Sequence, residues 1–165
     1  MFFNQLETER LIIREFEESD FEAVHLYASK PEVTKYLPFG PNSKNETREF
    51  LQTAIDYKHQ DPRKSYDLAV VLKNDNMLIG GCGIFITNVN VKEGYIGYCY
   101  DNPYWGNGYA TEAAKALIRF GFENLKLHRI FATCHKDNIG SAKVLEKTGM
   151  TKEGCLRDNR FHQGK

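Results

Sequence analysis

The sequence predicts a single α/β domain spanning residues 1–165, and three observations support this prediction. The 165 residues are 41% hydrophobic, and a chain of this size buries roughly 70% of the surface that it exposes when unfolded. Nine tyrosines, eleven phenylalanines and a formal net charge of zero argue against disorder. Short apolar runs separated by turn residues fill the middle of the chain, whereas the last third has apolar residues at helical spacing.

The first third of the chain predicts one strand and two helices. The apolar run Leu11–Phe16 is typical of a strand. We expect a first helix to start at Ser19, with Glu22 completing a capping box, and a second helix to span Glu46 to about His59. Ser43 and Glu46 form another candidate capping box. Prolines and a glycine predict a loop between the two helices: Pro31, Pro38, Gly40 and Pro41.

The middle of the chain predicts an antiparallel meander. Residues 68–72 and a run beginning at Met77 predict two strands joined by the turn 73–76, and a third strand covers about Gly94 to Tyr100. Strands joined by such short turns are antiparallel. Glycines interrupt the second of these strands, which indicates a bulge or a close backbone approach: Gly80, Gly81 and Gly83.

After Pro103 the pattern alternates between helix and strand. Apolar spacing predicts a helix over Thr111–Asn124 and a strand over Arg129–Cys134. A further helix is expected over Asn138–Thr148, closed by Gly149 as its C-terminal cap. A last strand is expected over Met150–Leu156.

Composition also bounds the function. A neutral chain argues against direct nucleic-acid binding, because such proteins usually carry a basic excess. No apolar run of 18 residues predicts a membrane span, and the N-terminus lacks a signal-peptide core. Four cysteines without a Cys-x-x-Cys motif indicate small buried side chains in a reducing cytosol rather than disulfides or a metal site: Cys82, Cys99, Cys134 and Cys155. We therefore expect a cytoplasmic protein without a bound metal.

The most informative segment is the glycine loop at residues 103–112. It leads from a predicted strand into a predicted helix through Gly106 and Gly108, so backbone N–H groups and the helix dipole can converge on one anion. This pattern is typical of a pyrophosphate site that needs no lysine, although a simple tight turn explains it equally well. A dinucleotide-binding fingerprint would need a third glycine where Thr111 stands, and a Gly-Lys-Ser/Thr loop does not occur.

Three separated motifs in this chain resemble one family. Trp105–Ala110 is similar to the Arg/Gln-x-x-Gly-x-Gly/Ala signature of the GNAT superfamily of N-acetyltransferases, except that Trp105 replaces its first residue. Residues 6–14, 106–113 and 138–149 resemble the RimJ/RimL branch. That branch acetylates ribosomal-protein N-termini and also contains many enzymes whose amine substrate is unassigned.

The resemblance implies a fold and a cofactor site. The expected fold is a mixed, mostly antiparallel central sheet with helices on both faces, split by a V-shaped gap between strands 94–100 and 129–134. Acetyl-CoA would serve as co-substrate, with its pantetheine arm in that gap on the backbone of Tyr98, Cys99 and Tyr100. The resemblance places the pyrophosphate on the glycine loop: Trp105, Gly106, Asn107, Gly108, Tyr109, Ala110 and Thr111. Asn138 would bond the pantetheine arm and Ser141 would lie near the sulfur, whereas Lys143 either meets a CoA phosphate or belongs to a solvated helix face.

The implied chemistry is direct attack of an amine on the thioester. A backbone N–H near Tyr98 would stabilise the oxyanion, which contributes on the order of 3 kcal/mol. Ser141 is the candidate proton donor to the leaving thiolate, the alternative being a helix residue that bonds a backbone carbonyl. Tyr95 stands where relatives often carry a glutamate, so the base stays open, with His135 as one candidate. Cysteines near the gap are expected to pack rather than to form an acetyl-cysteine: Cys99 and Cys134.

The missing glutamate mildly favours an acceptor with a low pKa. Roughly a tenth to a quarter of chain-terminal amines, with a pKa near 8, are neutral at about pH 7.2. A lysine amine, with a pKa near 10.4, is under ~0.1% neutral and costs about 4 kcal/mol to deprotonate. We therefore expect an N-terminal α-amine as acceptor, with a ribosomal-protein N-terminus as one candidate.

Two other interpretations stay open. They are a non-catalytic acyl-CoA sensor on the same fold, and an acetyltransferase of a polyamine or antibiotic. The resemblance also implies a final antiparallel strand after residue 156, and the given sequence stops roughly at the turn before it. A truncated chain, an omitted tail and a neighbouring subunit that supplies the edge are the three explanations. An edge strand left without a partner is a liability, and a homodimer is one way to cover it.

Overall fold

Six strands form one sheet in the part of the chain that the computed structural model describes, residues 3–160. The strands are β1 (Leu6–Glu7), β2 (Leu11–Glu15), β3 (Ser65–Leu72), β4 (Leu78–Asn88), β5 (Glu93–Tyr100) and β6 (Arg129–Phe131). They lie side by side in chain order. Each pair of neighbours is antiparallel except β5 and β6, which are parallel. The mixed, mostly antiparallel sheet is therefore confirmed.

Helices cover both faces of this sheet, as expected. They are α1 (Phe21–Ala28), α2 (Pro31–Thr34), α3 (Lys44–Asp56), α4 (Tyr109–Glu123) and α5 (Ile139–Lys147), with single 3-10 turns at Glu18–Asp20, Tyr57–His59 and Asn102–Tyr104. One face packs against α4 and α5 through a core that includes Ile84, Ile96 and Leu117. The other face packs against α1 and α3 around Phe16 and Ala69. No helix among the described residues is long and apolar enough to cross a membrane.

The start of α3 follows the sequence prediction. The Ser43 hydroxyl accepts a hydrogen bond from the Glu46 N–H at 3.2 Å, and the Glu46 carboxylate accepts one from the Ser43 N–H at 2.7 Å. This reciprocal pair is the predicted capping box, and it satisfies N–H groups that the helix itself leaves free. The helix ends at Asp56 and passes into the 3-10 turn, close to the predicted end at His59.

The predicted capping box at Ser19 and Glu22 is wrong. Ser19 lies inside the 3-10 turn, and α1 begins two residues later at Phe21. Asp20 organises this turn instead, because its carboxylate accepts the Glu17 N–H at 2.8 Å and is held by both terminal nitrogens of Arg14. A charge on the neighbouring strand β2 therefore overrides the local capping signal.

Three further boundaries differ from the sequence predictions. The expected loop at 31–41 contains the short helix α2, for which Pro31 provides the first residue. No sequence pattern predicted the two-residue strand β1. The predicted strand Met150–Leu156 is wrong, because residues 150–156 form neither helix nor strand.

Gly80 of β4 coincides with both features that the glycines predicted, a bulge and a close approach of the backbone. The β3–β4 register shifts between Val70 and Val71, beside Gly80. A β-carbon on Gly80 would collide with the Cys99 carbonyl oxygen and would lie 2.7 Å from the Tyr100 ring. The absence of a side chain therefore allows β5 to lie close to β4 where β5 leads into the glycine loop.

The sheet opens at the far end of β5. Strand β6 pairs with β5 only from Glu93 to Tyr95 and ends at Phe131, short of the predicted Cys134. The next five residues of β5, Ile96 to Tyr100, extend beyond it. One edge of β5 is therefore without a strand partner among residues 3–160, and this is the predicted V-shaped gap.

Candidate functional site

The glycine loop has the backbone conformation that an anion cradle requires. Gly106 and Gly108 have φ values of +76° and +81°, and Gly108 is the N-cap of α4. A side chain would be strained in this left-handed region. A β-carbon on Gly106 would meet nothing within 4 Å, so the space above the loop is open. The loop therefore presents a helix N-terminus to an accessible space, which favours a negatively charged group.

An N-terminal arginine holds this loop in place. The Arg10 guanidinium donates to the Asn107 carbonyl at 2.9 Å and to the Glu112 carboxylate at 2.8 Å, and it lies over the Tyr109 ring. The Asn107 side chain in turn donates to the carbonyls of Tyr104 and Trp105. The loop is therefore fixed from two sides, and an Arg10–Glu112 ion pair lies beside it.

Glu112 connects the arginine to the first turn of α4. Its carboxylate also accepts the Thr8 hydroxyl at 2.5 Å and the Arg10 N–H at 2.8 Å. Partial burial raises the pKa of Glu112, but the hydrogen bonds from Thr8 and Arg10 outweigh that effect and leave the pKa below its usual value. The sequence reasoning assigned no role to Thr8, Arg10 or Glu112. The motif at residues 6–14 was the one sequence signal that included Thr8 and Arg10, but its contact with the glycine loop is visible only in the fold.

Trp105, the residue that departs from the family signature, joins the loop to β5. Its indole N–H donates to the Tyr100 carbonyl at 2.8 Å, while 52% of the residue stays exposed. The Tyr100 carbonyl thus already has one partner at the end of the open edge. The exposed part of the indole forms a wall beside the glycine loop.

The open edge of β5 presents alternate backbone groups. The Asp101 N–H donates to the Ile79 carbonyl across the Gly80–Tyr100 pair. Because backbone groups alternate along an antiparallel ladder, those of Tyr98 and Tyr100 point away from β4 into the gap. Those of Cys99 point to β4.

Tyr98 and Ser141 meet at the rim of the gap. The Tyr98 hydroxyl donates to the Ser141 carbonyl at 3.1 Å, and the two hydroxyl oxygens lie 3.0 Å apart. Asn138 is the N-cap of α5, and its side-chain oxygen accepts the Ser141 N–H at 3.1 Å. Burial raises the pKa of Tyr98 to about 12, although the hydrogen bond with Ser141 opposes that shift. The phenol is therefore neutral near pH 7, and either hydroxyl can donate a hydrogen bond to the other. Lys143, two residues after Ser141 on α5, is exposed.

The mouth of the gap is lined by two loops. The rings of Tyr36 and His135 stack with centroids 5.1 Å apart, joining the segment after α2 to the segment after β6. Lys30 forms an ion pair with the buried Asp101 at 2.6 Å. These contacts place His135 at the entrance of the gap.

Tyr95 lies in the part of β5 that pairs with β6, and the Cys99 side chain packs on the α1–α3 face of the sheet. The Tyr95 ring stacks on Phe85 with centroids 5.0 Å apart and is tilted against Phe131, so no carboxylate occupies this position. Burial raises the pKa of Cys99 to about 12, with smaller contributions from Asp101 and Asp67. The Cys99 thiol is therefore protonated near neutral pH and is a poor nucleophile. Cys134 is exposed. Among residues 3–160, no group of three or more His, Cys, Asp or Glu side chains could hold a metal ion.

Comparisons with known proteins define the family. The model of the acetyltransferase (GNAT) domain matches residues 10–151. An uncharacterized N-acetyltransferase, YnaD of Bacillus subtilis (strain 168), is 36% identical over 150 residues, which cover 91% of this chain and 84% of YnaD. A crystal structure of a GNAT-family acetyltransferase from Bacillus anthracis superposes with a TM-score of 0.85 at 36% identity, covering 98% of this chain and 92% of the other.

A third relative has a named substrate. The ribosomal-protein-serine acetyltransferase of Escherichia coli (strain K12) is 29% identical over 119 residues, which cover 72% of this chain and 64% of that protein. The chain described here belongs to the GNAT acetyltransferase family. It is an acetyl-CoA-dependent N-acetyltransferase, and acetyl-CoA is its co-substrate.

Proposed function

We propose that this protein transfers the acetyl group of acetyl-CoA to the N-terminal α-amine of a protein or peptide, such as a ribosomal protein. One observation carries the proposal: the unpaired edge of β5, from Ile96 to Tyr100, lies directly beside the glycine loop. An extended pantetheine arm can add to such an edge as an extra strand, and main-chain pairing makes few demands on side chains.

The residues present fit the co-substrate. The pyrophosphate binds the N–H groups of the loop from Trp105 to Thr111, where Gly106 leaves open space and Arg10 holds the backbone at Asn107. The pantetheine arm pairs with the gap-facing backbone of Tyr98 and Tyr100, while Cys99 contributes only its side chain because its backbone faces β4. The Asn138 side-chain oxygen is engaged with Ser141, so its NH₂ group donates to the arm. Lys143 meets an outer CoA phosphate.

The chain itself supplies two further parts of the chemistry. Acetyl-CoA brings the thioester, whose carbonyl oxygen gains charge as the amine attacks. A gap-facing N–H of Tyr98 or Tyr100 stabilises that charge, which contributes on the order of 3 kcal/mol. The Tyr98–Ser141 pair gives a proton to the departing sulfur, because the neutral phenol can replace the proton that the serine hydroxyl donates.

The electrostatics of the acceptor site favour an amine that is already partly neutral. Tyr95 brings no carboxylate to β5, and an α-amine is deprotonated far more readily than a lysine side chain. The E. coli relative carries a name that refers to a ribosomal protein and serine. We therefore choose a peptide with a free N-terminal serine as the first acceptor to test.

The test is a comparison of acceptors at saturating acetyl-CoA. Thiol release would be measured with a short peptide bearing a free N-terminal serine, the same peptide with a blocked N-terminus and one lysine, and spermidine. We expect release with the free N-terminus and little with the blocked peptide, and mass spectrometry should place the acetyl group on the α-nitrogen. Release with spermidine alone would assign the enzyme to small amines. Binding of CoA without release for any amine would identify a sensor.

A further inference from the structure

Three aromatic rings form a row across β4, β5 and β6 on the α1–α3 face of the sheet. Phe85 pairs with Tyr95, and Tyr95 pairs with Phe131, so the three residues share one register position. The ring centroids of Phe85 and Tyr95 are 5.0 Å apart, and those of Tyr95 and Phe131 are 5.8 Å apart. We call these three residues the aromatic row. Its middle ring is accessible to a ligand, because Tyr95 is 38% exposed.

An open space adjoins the aromatic row where β5 leaves its last pairing with β6. The next pair on this face is Gly83 with Gly97, and β6 ends at Phe131, so β6 has no residue opposite Gly97. A β-carbon on Gly83 would lie 2.7 Å from the Phe85 ring, whereas a β-carbon on Gly97 would meet nothing within 4 Å. The space over Gly97 is therefore open, and it lies between Tyr95 and the unpaired edge of β5.

The two faces of β5 have different neighbours at this point. The Tyr98 side chain lies on the α4–α5 face, where its hydroxyl contacts Ser141, and the side chain of Cys99 lies on the α1–α3 face. Because side chains alternate along a strand, Gly97 is on the same face as Cys99. In the proposed function the departing sulfur takes its proton on the Tyr98–Ser141 side. The amine then approaches on the Gly97 side, where the absence of a side chain leaves room for it.

Because the aromatic row borders this approach, we propose that it selects acceptor peptides with an apolar or aromatic side chain at the second residue. This inference rests on the proposed function. Tyr95 and Gly97 are two residues apart on one strand, which is about 7 Å. Successive Cα atoms of a peptide are about 3.8 Å apart, so an amine over Gly97 brings the side chain of the second residue within reach of the Tyr95 ring. Tyr95, at the centre of the row, is the specificity-determining residue.

The packing of the rings determines which kind of side chain the row accepts. Phe85 and Phe131 flank Tyr95 from opposite sides, and the Phe85 ring is inclined to the Tyr95 ring by only 24°. The Arg129 guanidinium lies over Phe131, 5.3 Å from the ring centroid. A cation binds the face of an aromatic ring, and the faces of Tyr95 are already flanked by rings. The exposed edge of Tyr95 favours an apolar or aromatic side chain instead.

Both ends of the aromatic row are occupied by other side chains. At the outer end, Glu93 and Glu153 accept hydrogen bonds from Arg129 at 3.1 and 2.7 Å, so the charge of these carboxylates is partly balanced. At the inner end, the Tyr57 ring meets Phe85 edge to face, with centroids 6.4 Å apart. A lysine at the second residue of the acceptor therefore gains no free ring face from this surface.

The test compares three acceptor peptides that differ only at the second residue. Each peptide has a free N-terminal serine followed by phenylalanine, alanine or lysine, and kcat/KM would be measured at saturating acetyl-CoA. Tyr95→Ala removes the central ring, and Tyr95→Phe keeps the ring without its hydroxyl. Phe122→Ala is the matched control, because Phe122 is an aromatic residue that is 44% exposed on α4. CoA affinity of every variant would be measured by calorimetry.

We expect the wild type to prefer the phenylalanine peptide over the alanine peptide by about 10-fold in kcat/KM, the size of a modest apolar contact. The lysine peptide should be no better than the alanine peptide. Tyr95→Ala should reduce the preference to about 2-fold by lowering kcat/KM for the phenylalanine peptide alone. Tyr95→Phe and Phe122→Ala should keep the wild-type preference, and CoA affinity should be unchanged in all three variants.

Contrary outcomes separate this inference from the proposed function. Equal kcat/KM for the phenylalanine and alanine peptides in the wild type would overturn the inference, while acetylation of both would leave the proposed function intact. A preference that persists in Tyr95→Ala, an equal loss for all three peptides or a preference for lysine would overturn it as well. A wild type that acetylates none of the peptides would overturn the proposed function, and the inference with it. If Tyr95→Ala loses CoA binding through misfolding, Phe131→Ala provides the same test at the neighbouring ring.

Discussion

The strongest consequence for stability is that Asp67→Asn should make the protein more stable above neutral pH. Burial raises the pKa of Asp67 from 3.8 to about 7, so the folded protein keeps this proton up to about pH 7 while the unfolded chain loses it near pH 4. Between these values the folded state binds more protons, and its free energy of unfolding falls as pH rises. Asparagine has no ionisable proton, so the variant keeps the free energy of unfolding that the wild type loses as pH rises.

The size of the effect follows from the shift. Three pKa units correspond to about 4 kcal/mol, since one unit is about 1.4 kcal/mol. Because Asp67 is partly exposed, water screens its charge, and we expect roughly half of that value, about 2 kcal/mol. The variant should therefore match the wild type at pH 4 and exceed its free energy of unfolding by about 2 kcal/mol at pH 8.

Urea unfolding followed by circular dichroism at pH 4, 6 and 8 measures this difference. Asp56→Asn is the matched control, because Asp56 is exposed and its substitution should cause no pH-dependent change. A raised pKa of Asp67 would be contradicted if Asp67→Asn were less stable than the wild type at pH 8, or if the two proteins differed by the same free energy of unfolding at all three pH values. Either result would mean that the Asp67 carboxylate has a stabilising partner or is fully hydrated.

Three other changes test the rest of the site. Gly108→Val should abolish CoA binding, because φ is +81° at this position and the new β-carbon would approach Arg10. Gly149→Val is the control: its φ of +90° causes the same strain outside the loop, so calorimetry should show that CoA binding is retained. Ser141→Ala should lower kcat more than KM for acetyl-CoA in the thiol-release assay; an unchanged kcat would leave Ser141 with a structural role only. Tyr100→Phe should raise the free energy of unfolding by about 1 kcal/mol in urea, because its buried hydroxyl lacks a hydrogen-bond partner in the described structure; a loss of stability would indicate an unseen partner, such as a buried water.

Local sequence signals predicted those parts of the fold that local contacts determine. Ser43 and Glu46 cap α3 through bonds that reach only three residues, so the pattern alone was sufficient. Ser19 presented a similar pattern, yet Arg14 on the adjacent strand fixes Asp20 and shifts the start of α1. A capping signal therefore fails where a charged side chain on a neighbouring strand competes for the same turn.

The same distinction applies to the site. The motif around Gly106 and Gly108 predicted either an anion cradle or a tight turn, and the positive φ values of both glycines agree with either. Asp67 gave no such signal, because an aspartate in a strand is ordinarily solvated. Only the fold shows that Asp67 lies opposite Gly83, which the Phe85 ring covers, in surroundings that raise its pKa to about 7.

The glycine loop itself depends on residues that are about one hundred positions away in sequence. Arg10 bonds the Asn107 carbonyl and Glu112, and Thr8 bonds Glu112 from the same segment. These contacts fix the direction of the N–H groups before any ligand arrives, so binding an anion requires little reordering of the loop. Because the Glu112 carboxylate at 2.8 Å balances its charge, Arg10 positions the loop rather than supplying net positive charge to it. If the loop binds the pyrophosphate as proposed, residues 8–10 support that site through Asn107 and Glu112.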